Sequence, residues 1–144
     1  MDNTNKEQIY VQELDDILSP VFQKISRIIT DPNIQWEQMR SKKVHMQQCL
    51  DDTLISLTTP LTQTYFNISI IKIASTQAKI RLSYSGDIIP LSECSGCDIY
   101  DGKKTHQLVF GKKLHLPQKQ LGLFMGGECD LYLLWLFKSK EDLP

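Results

Sequence analysis

The stretch LYLLWLF, residues 131–137, is apolar on both of its faces. Successive side chains of an extended chain point to opposite sides, so Leu131, Leu133, Trp135 and Phe137 fall on one face and Tyr132, Leu134 and Leu136 on the other. A strand of this kind has to be covered twice. Each large side chain left in water forfeits about 1.5–3 kcal/mol of burial. The chain must therefore bring cover to both faces or hand one of them to another subunit.

The rest of the C-terminal part reads as strands around this one. In AKIRLSY, Ala78, Ile80, Leu82 and Tyr84 face one way and Lys79, Arg81 and Ser83 the other, the pattern of a strand with one wet face. YFNISIIKI, residues 65–73, precedes it and is expected to be its hairpin partner through residues 74–77. THQLVF follows an Asp101-Gly102 turn, and QLGLFM leads through Gly126-Gly127 into ECDLYLLWLF, both hairpin signals. Five or six antiparallel strands over residues 63–138 are expected.

Residues 7–58 carry a different period. Val11, Leu14, Leu18, Val21, Ile25 and Ile28 recur at spacings of three and four, which predicts an amphipathic helix, with a kink or break at Leu18–Ser19 where Ser19-Pro20 supplies a new start. Asp31-Pro32-Asn33 stops it, and Trp36, Met39, Met46, Leu50, Leu54 and Leu57 then fall on one face of a second helix, interrupted by Lys43 and Thr53. The expected fold is α+β, one domain over residues 1–144, with a helical hairpin (7–58) packed on an antiparallel sheet (63–138). A single hairpin covers one face of a sheet. The second face then needs curled strands or another subunit, which leads to an expected homo-oligomer, most simply a dimer.

A net charge of −1 over 144 residues gives no global attraction to nucleic acid or acidic membrane. The polar, acidic start MDNTNKEQIY does not read as a signal peptide, and no apolar run reaches the length of a membrane span, so the expected location is cytoplasmic. Four sparse, irregularly spaced cysteines fit thiols better than a disulfide framework. The sequon Asn67-Ile68-Ser69 lies in an apolar strand-like run and carries no weight in that compartment.

The chemistry-bearing stretches are few. In CSGCDIYDGKKTH, Cys94 and Cys97 have the two-residue gap of a zinc knuckle, with His106 and His115 as further ligands, but the second half of the site has no standard spacing. A redox pair would want a helix start that this stretch does not provide. The favoured reading is a surface loop bent at Ser95-Gly96, with no cofactor and zinc as the minority alternative. On the second helix His45, Cys49 and Asp52 share a face, yet neighbours on one helix rarely make a catalytic centre unaided.

Lys103, Lys104, Lys112, Lys113 and Lys119 lie in a segment without acids. They suit an anion or a nucleic-acid backbone, or simply keep hairpin ends soluble. No phosphate-binding glycine loop, dinucleotide fingerprint, zinc-protease helix or nucleophile elbow is present. The favoured function is a non-enzymatic protein-interaction module, an adaptor or regulatory subunit, assembling through Val11, Leu14, Leu18, Val21, Leu134 and Leu136. The alternative is a small anion- or nucleic-acid-binding protein using the basic hairpins. A zinc-binding domain built on Cys94 and Cys97 comes third.

Overall fold

The structure, a computed structural model, describes residues 9–38, 46–73, 78–80, 86–93, 97–100, 104–116, 123–126 and 129–138. It is built on strands. In chain order these are β1 (Tyr10–Gln12), β2 (Trp36–Gln38), β3 (Met46–Cys49), β4 (Asn67–Ile73), β5 (Ala78–Ile80), β6 (Gly86–Pro90), β7 (Asp98–Tyr100), β8 (Thr105–Gln107), β9 (Lys113–Leu116), β10 (Leu123–Gly126) and β11 (Leu131–Phe137). Two short helices, α1 (Leu18–Ser26) and α2 (Asp52–Leu57), and a 3-10 turn (Thr59–Leu61) complete it. Among the described residues no helix is long and apolar enough to cross a membrane.

The strands form a seven-stranded sheet in the order β1-β9-β6-β11-β4-β3-β2 and a four-stranded sheet in the order β5-β10-β7-β8, every pairing antiparallel. β11 lies at the centre of the larger sheet, bonded to β6 and β4. Its Leu131, Leu133, Trp135 and Phe137 enter one buried cluster with Ile71, Ile73, Ile88, Leu114 and Leu116 and with Cys97 and Ile99 at the smaller sheet. Leu134 and Leu136 enter a second cluster with Leu18, Val21, Phe22 and Ile25 of α1 and Leu54 of α2. The double cover required by residues 131–137 is thus supplied within the chain, by helices on one side and the second sheet on the other.

The helical hairpin over 7–58 on a sheet of five or six strands is not what forms. Residues 10–12, 36–38 and 46–49 are strands, and among the described residues only 18–26 and 52–57 are α-helix. α1 begins where a break was expected. Asp15 supplies the start, its Oδ1 accepting from the backbone N–H groups of Ile17 and Leu18 at 3.0 and 2.8 Å. Pro20 falls in the first turn, where its missing N–H costs nothing. The second stripe fails because Trp36 and Cys49 are directly opposed across β2 and β3, an arrangement one helix cannot make. α2 starts only at Asp52, with Asp51 Oδ1 capping Thr53 and Leu54.

Two expected hairpins are also re-partnered. β4 pairs with β3 and β11, and β5 pairs with β10, so residues 74–77 connect the two sheets. The Gly126-Gly127 segment likewise lies between β10 of the smaller sheet and β11 of the larger. The strands on either side of Asp101-Gly102, β7 and β8, do pair, with Asp98 opposite Gln107, while Asp101 and Gly102 lie outside the described residues.

Candidate functional site

β6 reads GDIIP and all five residues are buried, including the carboxylate of Asp87, which is 0% exposed. An ionised acid in that position needs compensating donors. His115 stands directly opposite on β9 and donates from Nδ1 to Asp87 Oδ1 at 2.8 Å. Two residues back on the same face of β9, Lys113 places Nζ 3.7 Å from Oδ2. From the segment before β4, the Tyr65 hydroxyl donates to Oδ2 at 3.4 Å. Burial, then the charges of Asp87 and Asp15, then that hydrogen bond raise the Tyr65 phenol far above its ordinary range, so it acts as a proton donor throughout neutral conditions.

The cluster lies against the edge of the larger sheet. β1 pairs with β9 in the register Tyr10 to His115, Val11 to Leu114 and Gln12 to Lys113. The Tyr10 ring sits 4.9 Å from that of His115. Among the described residues no strand pairs with the outer side of β1. All three β1 residues are exposed, Tyr10 at 41% and Val11 at 45%, and Ile17 beyond them is exposed as well. Glu13, just past the strand, is ion-paired with Lys112. The site is therefore an apolar-tipped strand edge whose inner side is anchored on a buried carboxylate. His115 is held in place by its Nδ1 contact with Asp87 on one side and by the Tyr10 ring on the other.

The residues expected to form an interface divide. Val11 is on the exposed edge and Leu14 packs partly against the helix-side cluster, whereas Leu18, Val21, Leu134 and Leu136 are buried inside the chain's own core. An interface cannot be built on those four without opening the core. Of the basic set, Lys112 is paired with Glu13 and Lys113 with Asp87, so acids distant in sequence offset these two of the five lysines. Lys104 precedes β8, and Lys103 and Lys119 lie outside the described residues.

The zinc set is not brought together. Cys97 and Cys129 are both disulfide-bonded while Cys49 is free, and with four cysteines in the chain the two bonded ones must join each other. Cys97 as a disulfide has no thiolate for a metal. His106 is on β8 of the smaller sheet, His115 is held by Asp87 on the larger, and Cys94 lies outside the described residues. The cysteines at 97 and 129 are thus not thiols. Their pairing joins the start of β7 to the approach of β11, far apart in sequence and invisible to spacing rules.

Cys49 is not on a helix face with His45 and Asp52. It ends β3, buried, where a shallow cleft lined by Gln48, Ile55, Thr58 and Ile68 opens, and burial pushes its thiol up, against nucleophilic character. His45 lies outside the described residues.

Sequence reasoning passed over Asp87 and Tyr65. The signal available was an acid inside the apolar run GDIIP, together with the alternation of KLHL that puts Lys113 and His115 on one face. A comparison with models of known protein families finds no match, and a comparison with curated proteins finds none.

Proposed function

We propose that this chain is a non-enzymatic protein-interaction module, an adaptor or regulatory subunit, that takes an extended segment of a partner protein along β1. The observation carrying this is the edge itself: three exposed residues with unpaired outer backbone among the described residues, tipped by Tyr10 and Val11. Strand addition to a sheet edge draws affinity from main-chain hydrogen bonds and specificity from alternate side chains. The edge is short and flanked by the Glu13–Lys112 pair, which limits indiscriminate pairing. A second copy is one such partner, since two β1 strands can pair about a two-fold axis centred on Val11.

The disulfide supports an oxidising compartment over the cytoplasm expected from the sequence. The anion-binding alternative loses support from the pairing of Lys112 and Lys113 with acids.

The test is light scattering of the protein alone together with selection of binding segments from a displayed peptide library, each repeated with Y10K and V11K. Lysine on the edge should abolish association while leaving the melting temperature within about 1–2 °C, because both positions are exposed. Association unaffected by either substitution, or no association of either kind, would refute the proposal.

A further inference from the structure

We infer that Asn67 is an acceptor site for an N-linked glycan. Asn67-Ile68-Ser69 meets the Asn-X-Ser/Thr requirement. An apolar run in a cytosolic thiol protein would make that match empty, and the structure removes both objections. Asn67 is the first residue of β4 and is exposed, the burial of that strand setting in only at Ile70. Asn67 and Ser69 project from the same face, and the Ser69 hydroxyl donates to Asn67 Oδ1 at 3.4 Å at the surface. Independently, the Cys97–Cys129 disulfide is the mark of a chain that matures where thiols are oxidised, which in a eukaryotic cell is also where such glycans are added. Phe66, next in the chain, is 54% exposed, the most exposed large hydrophobic side chain among the described residues.

In the transfer, the Asn67 carboxamide nitrogen attacks the anomeric carbon of a polyprenyl-diphosphate-linked oligosaccharide. The N–C bond forms as the bond from that carbon to the diphosphate oxygen breaks. The diphosphate leaves with the electron pair, and one amide proton passes to a base of the transferase. Asn67 lies on β4, separated from β1 by three strands (β9, β6 and β11) of the larger sheet, so a glycan there leaves the β1 edge open.

The experiment is translation of the full chain, fused to a secretion leader, in the presence of endoplasmic-reticulum microsomes. The mass of the protease-protected product is read before and after endoglycosidase treatment. The expected product is heavier than the 16.6 kDa polypeptide and returns to it on treatment. S69T should keep the added mass, and N67Q and S69A should lose it. A protected wild-type product without endoglycosidase-sensitive mass, or added mass that survives in N67Q, overturns the assignment. Neither result bears on association at β1, which the edge-lysine variants test separately.

Discussion

Asp87 is held by three side chains from two separate places in the chain: His115 and Lys113 on β9 and Tyr65 ahead of β4. A buried carboxylate so surrounded is costly to disturb from either side. Removing one partner of a buried ion pair strands the other, at about 3 kcal/mol or more. D87A should therefore lower the urea midpoint by an amount corresponding to about 3 kcal/mol, and a change below about 1 kcal/mol would show the cluster to be solvated. Tyr65 gives a pH signature. Its phenol is raised in the folded state, so folding favours the protonated form. The stability it contributes is complete below the unfolded tyrosine value of about 10 and is lost as pH rises above it. Between about pH 9 and 11 wild type should lose more stability than Y65F, measured by denaturant titration at each pH. Equal losses in the two proteins would contradict the placement of Tyr65.

At the scale of elements, β6 depends on one glycine. Gly86 has φ +152°, and a Cβ there would meet the Leu136 carbonyl oxygen at 2.4 Å, a backbone atom that cannot swing aside. G86A should cost about 2–3 kcal/mol through strain and overpacking and should loosen Asp87 beside it. A thermal melt unchanged from wild type would refute that close approach. The same scale shows what the chain's pattern revealed. Residues 131–137 announced their double burial because strand alternation is a local property and seven apolar side chains left no other solution. The stripe from Val11 to Ile28 misled because a three-and-four spacing is satisfied equally by an edge strand, a turn and a nine-residue helix in succession. There, Val11 and Ile28 are exposed, although the spacing puts them on the buried face. Pairing partners were not legible either. β4 next to β5 in sequence looks like a hairpin, but β4 has the apolar length to serve the larger sheet between β3 and β11. The Asp87 cluster was least visible, since its members come from residues 65, 87, 113 and 115 and meet only through sheet register.

Across the whole molecule, the two sheets share one buried cluster and the helices close the other, so the apolar excess that pointed to a dimer is absorbed by the chain itself. The disulfide ties β7 of the smaller sheet to the segment entering β11, the central strand of the larger. Closing a loop of roughly thirty residues stabilises by about 3–4 kcal/mol through the unfolded state. C129S, or reduction of wild type, should lower stability by about that amount, and a chelator should leave it unchanged. A chelator effect equal to that of reduction would restore the zinc reading of Cys94 and Cys97.

Of the edge strands, β1 carries the exposed apolar pair Tyr10 and Val11, and its use in association is the central claim. Amide hydrogen exchange, followed across the protein's concentration range and with a selected peptide, reads that edge directly. Protection should rise at residues 10–12 on association and be absent in V11K. Association that protects other surfaces while residues 10–12 exchange as in the free protein would contradict it.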